Sequence, residues 1–206
     1  MSTIWTWTWG ECLSRRFAIV GHDTPGSGDF SLNDLAGSAG RMDVLLRAVN
    51  SALFVSHGIR EDTQIVLHLE GSGSRRIRFD GGALRGVHPD ERSIAGQVRA
   101  VVRSPRPPIG VWEEFSRGIS HSGGSLAETL DEWSRQGCST LVMDAEGGLL
   151  EEVSQESEIG FVLSDHKPFS EAELELLSGY DRISLGPMWL QGHACIAIAH
   201  YILDRP

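Results

Sequence analysis

Long apolar runs are missing from this 206-residue chain. No stretch approaches the roughly 20 consecutive apolar residues a membrane helix needs, so no membrane association is expected. Cysteine is scarce: Cys12, Cys138 and Cys195 are an odd number with wide spacing and no CxxC pair. That argues against a disulfide framework and against a structural zinc, and leaves them as reduced structural residues. His22, His57, His88, His166 and His193 lack metal-ligand spacing, so no metal is expected either. Also absent are G-x-G-x-x-G after a strand, a Walker A sequence, H-E-x-x-H and G-x-S-x-G, which removes several familiar nucleotide and hydrolase sites. Positive charge is in deficit, with 28 acidic against 18 basic residues and a net charge of -10. Binding of nucleic acid by field alone is therefore disfavoured, although local clustering can override a net value. The acidity fits a salt-adapted proteome and ordinary acidity equally well. The opening residues lack a basic segment followed by an apolar core, so a secretory signal is not expected and a cytoplasmic location is the default.

What is present suits a globular protein. Hydrophobic residues make up 40% and charged residues 22%, and the length is enough to bury a real core. Residues 1–14 read as an N-terminal extension, since the Ile4-to-Trp9 alternation has no partner signal beside it and suits an extra edge strand or a loose tail. Residues 15–206 read as a single domain. Arg16 to His22 is the first buried strand. Met42, Leu45, Leu46, Val49, Leu53 and Phe54 recur at helical spacing and predict a helix over 41–57 with Gly58 as its stop. Strands follow at Thr63 to Leu69 and Arg75 to Phe79, then a helix over 94–102. Ser104-Pro105-Arg106-Pro107-Pro108 breaks the chain into halves, too briefly for a flexible linker, so both halves are expected to share one sheet.

The rear half predicts a helix from Ser125 to Arg135 and a strand over Thr140 to Met143 ending in an Asp144-to-Gly148 turn. A strand from Ile159 to Leu163 follows, then a helix over Ser170 to Leu177 opened by a Ser-x-x-Glu capping box, a strand at Arg182 to Leu185, and a last helix from about Gly192 to Leu203. Strands alternating with helices give an α/β class with a mainly parallel sheet. In such sheets ligands bind where strands end. The ends at Phe161 to His166 and Arg182 to Leu190 are close in sequence and form the candidate crevice. The residues alone support an α/β protein with a ligand crevice and no specific chemistry.

A run of short tags goes further. Arg16-Phe17-x-Ile19-Val20-Gly21-His22, Ser27-Gly28-Asp29-Phe30-Ser31-Leu32, Gly40-Arg41-Met42-Asp43-Val44, Ser56-His57-Gly58-Ile59-Arg60, Pro89-Asp90-Glu91-Arg92-Ser93, Phe161 to His166 and Ser184-Leu185-Gly186-Pro187-x-Trp189-Leu190 occur in this order. Together they resemble the archaeal tRNA (pseudouridine-54-N1)-methyltransferase family of the SPOUT class, from about Arg15 to the C-terminus. The tryptophan-rich start is not part of that pattern, and Met143-Asp144-Ala145-Glu146-Gly147 stands where the family more often has Leu-Asp-Glu-Asp-Gly.

The resemblance implies a SPOUT-type α/β fold, a homodimer, a C-terminal trefoil knot and S-adenosyl-L-methionine as cofactor. The expected activity is N1-methylation of pseudouridine at position 54 of tRNA. A related enzyme acting on pseudouridine in rRNA, and a non-catalytic RNA-binding or assembly factor, are the alternatives. Three knot loops would hold the cofactor, through Leu141 and Met143, Leu163 and Ser164, and Ile183, Ser184, Leu185, Gly186, Pro187 and Leu190. Apolar walls and glycine-containing turns suit an adenine ring, though core packing explains any single leucine as well. Methyl transfer requires orientation and the loss of the N1 proton of pseudouridine. Asp165, at a strand end, is the first candidate to handle that proton, with Asp90 and Glu91 as alternatives that helix capping explains equally well. Arg16, Arg41, Arg47, Arg60 and Arg92 are the candidate RNA contacts, since guanidinium groups pair with phosphate or stack on a base.

Overall fold

The structure, a computed structural model, describes residues 14–25, 27–71, 73–152 and 158–205. The tryptophan-rich alternation and Cys12 lie outside the described residues. Among the described residues, eight strands form one sheet flanked by helices on both faces. Its middle strand is β1 (Ser14–Gly21), where Phe17, Ala18, Ile19 and Val20 have no exposure at all. A strand covered on both faces reads as an unbroken apolar run, and this one does.

β1 pairs in parallel with β4 (Thr63–Leu69) on one side and β9 (Glu158–Ser164) on the other. Beyond β9 lie β8 (Ser139–Leu149) and then β10 (Asp181–Ser184), both parallel. Beyond β4 lie β5 (Arg75–Asp80), β7 (Ile119–Gly123) and β6 (Glu113–Ser116), all antiparallel. The order is β10-β8-β9-β1-β4-β5-β7-β6. Strands from both sides of the proline stretch thus share the sheet, as the shortness of that break requires.

Alternation along β1 sorts the two layers. Phe17 and Ile19 face the larger core, built with α1 (Met42–Leu53), α2 (Glu91–Arg103) and α5 (Gly192–Leu203). Ala18 and Val20 face a smaller core with Leu126, Leu130 and Trp133 of α3 (Leu126–Arg135). Phe17 stacks on Phe161 with ring centroids 5.4 Å apart and meets the edge of His200. Truncation to Phe17→Ala is expected to cost about 3–5 kcal/mol, read as a lower urea midpoint with an unchanged slope.

Three boundaries differ from the sequence expectation. The first helix ends at Leu53 and not near Gly58, because Phe54 turns extended and the two-residue strands β2 (Phe54–Val55) and β3 (Gly58–Ile59) fold back. Arg60 N then donates to Leu53 O at 2.8 Å, closing the helix end. Phe54 keeps its place against the core across this change, so the helical spacing ran past the true stop.

The second difference is β8, which continues through the expected turn. Val142 pairs with Arg182 and Gly148 with Ile183, so five residues, Met143 to Gly147, bulge out between neighbouring pairs. Third, β6 and β7 were not legible. β7 buries His121 and Ser122 where a strand would be expected to carry apolar residues, because Ser122 faces the buried Arg76 guanidinium. The capping box before α4 (Glu171–Leu176) is present as read, through Ser170 and Glu173. No helix among the described residues is long and apolar enough to cross a membrane.

Candidate functional site

The parallel strands β8, β9 and β10 end around one cavity of about 610 Å³. That volume is in the range of small-molecule sites. Its walls come from the β8 bulge (Met143, Asp144, Ala145), from the end of β9 (Leu163, Ser164, Asp165) and from the turn after β10 (Ile183, Leu185, Gly186). Met188, Trp189 and Leu190 form a further side, and Trp189 is 82% exposed. The start of α5 closes the pocket with Gly192, His193 and Cys195, while Val44 and Arg47 reach it from α1 and Arg41 from its N-cap.

Local chemistry shapes each wall. Gly147 lets the bulge return, since its backbone lies so close to that of Arg182 that a Cβ there would sit 2.5 Å from the Arg182 carbonyl carbon. Asp144 accepts from Arg182 at 2.6 Å and holds the bulge from the other side. Gly186 has a φ of 124°, a conformation other residues avoid, and its amide donates to Ser184 Oγ.

Asp165 is the electrostatic centre of the β9 end. Its side chain has no exposure. Oδ2 accepts from the His22 amide at 2.9 Å, and Oδ1 from His22 Nδ1 and the Lys167 amide, each at 2.9 Å. His22 Nε2 in turn lies 3.0 Å from Glu173 Oε2. Burial pulls the His22 ring down, but its bonds and proximity to Asp165 and Glu173 outweigh this and leave its pKa above 6.5. Lys167 pairs with Asp23 at 2.6 Å and holds that carboxyl below its usual range. Burial pushes the Cys195 thiol up, which disfavours its thiolate.

Arg41, the N-cap of α1, and Arg47 within it are aimed by carboxylates. Arg41 sits in the left-handed region at φ 61° and gives Nε and Nη2 to Asp43, which is buried. Arg47 pairs with Glu91 at 2.8 Å and lies 3.5 Å from Asp43.

Among the expected cofactor residues, Met143, Leu163, Ser164, Ile183, Leu185, Gly186 and Leu190 line the cavity. Leu141, Ser184 and Pro187 do not: Leu141 is in the core, Ser184 is buried bonding within the Gly186 turn, and Pro187 is exposed. Of the three carboxylates, Asp165 belongs to the wall. Asp90 caps α2 by accepting from the Ser93 amide, and Glu91 is paired with Arg47; neither lines the cavity. Of the five arginines, Arg41 and Arg47 are at the pocket and Arg92 is exposed on α2. Arg16 is engaged by Glu158 and Gln136, and Arg60 by Asp204. His22, His166, Lys167 and Trp189 were not read as site residues, although His22, His166 and Trp189 stood inside the tags. Among the described residues no group of three or more His, Cys, Asp or Glu side chains is arranged to hold a metal ion.

Known proteins resemble this chain over nearly its whole length. A family described as "Putative SAM-dependent RNA methyltransferase" matches residues 14–206. A tRNA (pseudouridine(54)-N(1))-methyltransferase of Haloarcula marismortui is 41% identical over 193 residues, covering 92% of this chain and 96% of that protein. The protein of the same name from Methanosarcina mazei is 38% identical over 202 residues, covering 93% of this chain and 91% of its own. Among solved structures, Archaeoglobus fulgidus Nep1 bound to S-adenosylhomocysteine matches 93% of this chain and 99% of its own with a TM-score of 0.60. At 13% identity that likeness speaks for the fold.

Proposed function

The chain belongs to this family of SAM-dependent RNA methyltransferases, and from that premise we propose that it methylates N1 of pseudouridine at position 54 of tRNA. S-adenosyl-L-methionine is the methyl donor. The observation that carries the reading is identity near 40% over 92% of the chain to enzymes of that name. The fold is α/β of the SPOUT type, with a mainly parallel sheet.

The residues present fit the cofactor. Leu163, Ile183, Leu185 and Leu190 offer apolar walls for an adenine ring, and the Ser184–Gly186 turn and the Met143–Gly147 bulge present backbone groups beside them. When bound, the cofactor would supply a methyl group from its sulfonium to pseudouridine N1, with S-adenosylhomocysteine as the leaving group and the N1 proton released to water. The chain's own part is to bind, orient and exclude water. With its carboxylate wholly buried and bonded, Asp165 serves the reaction by fixing the wall. Asp90 and Glu91 serve it from α2, Asp90 by capping the helix and Glu91 by setting Arg47.

RNA contact falls to Arg41 and Arg47 at the pocket, with Arg92 on the neighbouring helix. A net charge of -10 makes such local convergence necessary. Arg47→Ala is expected to raise the KM for tRNA about tenfold, the loss of one charged hydrogen bond, with kcat changed less. Single-turnover and steady-state assays on the same transcript separate the two.

The proposal extends to assembly. Residues 15–206 act as one domain, with a trefoil knot formed as the chain passes from β10 at the sheet edge back to α5 against α1. Exposed Met188, Trp189 and Leu190 suit a homodimer interface beside the pocket. Sedimentation should return a dimer mass. A cytoplasmic location suits a tRNA-modifying enzyme.

The deciding experiment is mass spectrometry of nucleosides after incubating the protein with cofactor and tRNA carrying either uridine or pseudouridine at position 54. A new N1-methylpseudouridine only in the second substrate supports the reading. Methylation of an rRNA fragment instead would move the enzyme to the related rRNA activity. Absence of calorimetric cofactor binding would make it a non-catalytic factor.

A further inference from the structure

We propose that His22 is a positioning residue of the methyl-transfer site, its doubly protonated ring tying the Asp165 turn of the pocket wall to Glu173 of α4. The inference rests on the reading of the cavity as the cofactor site.

The geometry sets the protonation state. Nδ1 is 2.9 Å from Asp165 Oδ1 and Nε2 is 3.0 Å from Glu173 Oε2. A neutral imidazole has one N–H and one lone pair, so it can satisfy only one of these carboxylates and must turn a lone pair on the other. The imidazolium satisfies both. The same histidine gives its backbone amide to Asp165 Oδ2, so the carboxylate is held at both oxygens by one residue.

Every element around the ring contributes charge. Asp165 faces it from β9, Glu173 from α4, Glu70 from the end of β4, and Asp23 is next in the chain. Glu70 has its own pKa raised, first by burial, which weakens its share. His166 and Lys167 lie on the far side of this cluster, against Asp165 and Asp23. The balance leaves the ring's pKa above 6.5, so the clasp is complete below 6.5 and is lost as pH rises through the raised value.

The clasp matters because α4 meets the core only through its flanks, Phe169 before it and the buried Leu177 at its C-cap. This helix buries none of its own residues, yet its Leu174 and the preceding Asp165 to Phe169 turn both line the cavity. One ring therefore fixes two sections of the wall relative to each other. With either bond gone, those sections drift apart and the cofactor meets a looser site.

Calorimetry with S-adenosylhomocysteine between pH 6 and 9 tests this. Wild-type affinity is expected to fall about tenfold as pH passes the titration of His22. His22→Gln should bind about tenfold more weakly at pH 7 and lack that step, its profile carrying any titration of the ligand itself. Glu173→Gln, which keeps the capping box, should move the step to lower pH. Histidine-selective NMR of the cofactor-free protein should find both His22 ring nitrogens protonated at pH 6. A neutral His22 ring there, or a His22→Gln protein with wild-type affinity and an unchanged pH step, would overturn the proposal. Failure of the wild type to bind at any pH would overturn the cofactor reading and the proposal's role with it, while the NMR result would still report the clasp.

Discussion

Asp165→Ala is expected to lower methylation of pseudouridine-54 tRNA by a hundredfold or more and to weaken S-adenosylhomocysteine binding at least tenfold. The carboxylate accepts two backbone amides and one ring N–H with no exposure to solvent. Its removal strands the His22 and Lys167 amides and leaves the ring with Glu173 alone. The two His22 donors are part-buried and cost about 1–3 kcal/mol each when stranded, while the exposed Lys167 amide can turn to water, so the turn between β9 and α4 should open locally. A direct proton acceptor would behave otherwise. If Asp165 took the N1 proton itself, the variant would lose turnover while binding cofactor normally, which is what the strand-end position alone suggested. Calorimetry and single-turnover rates on the same variant separate the two roles. Intact binding with abolished turnover would return Asp165 to the chemistry.

Gly147→Ala is expected to cost about 2–4 kcal/mol of stability and to abolish cofactor binding. The added Cβ would stand 2.5 Å from the Arg182 carbonyl carbon, 2.6 Å from its oxygen and 2.6 Å from the Ile183 nitrogen. These are backbone atoms of β10, so no side chain can swing aside. Either β10 leaves β8 or the Met143–Gly147 bulge is pushed outward, and both routes undo the pocket. Gly148→Ala supplies the control, since a Cβ there meets nothing within 4 Å. Paired denaturation curves should show a large loss for the first and little for the second. Equal losses would mean that strand propensity, and not the close approach to β10, makes this segment glycine.

Much of the fold was legible because its strongest signals were local. The all-apolar run in β1, the spacing in α1 and the Ser170 to Glu173 capping box each fix their own element. The antiparallel half was harder, since β7 buries His121 and Ser122 and owes its place to Arg76, which bonds Ser122, Thr129 and Glu132 from the neighbouring strand and helix. No window of sequence holds that relation. The candidate site divides the same way. Turns after β9 and β10 could be read as ligand positions, and most of their residues do face the cavity. Hidden from that reading were the residues whose role is relational: His22, whose partners lie near residues 165 and 173, and Asp43, which aims Arg41 and Arg47. Arg16 and Arg60 stood with Arg41 among the candidate RNA contacts, and only the fold shows Glu158 and Asp204 engaging them.

The central position of β1 has a further consequence, in time. During synthesis β4 follows it soon after, but its other neighbour, β9, emerges only after β4 to β8. Until Phe161 arrives beside Phe17, one edge of the most apolar strand stays open. Folding dominated by such distant pairings is slow and exposes sticky intermediates. Nascent chains halted before β9 should therefore need chaperone protection, which the finished protein does not.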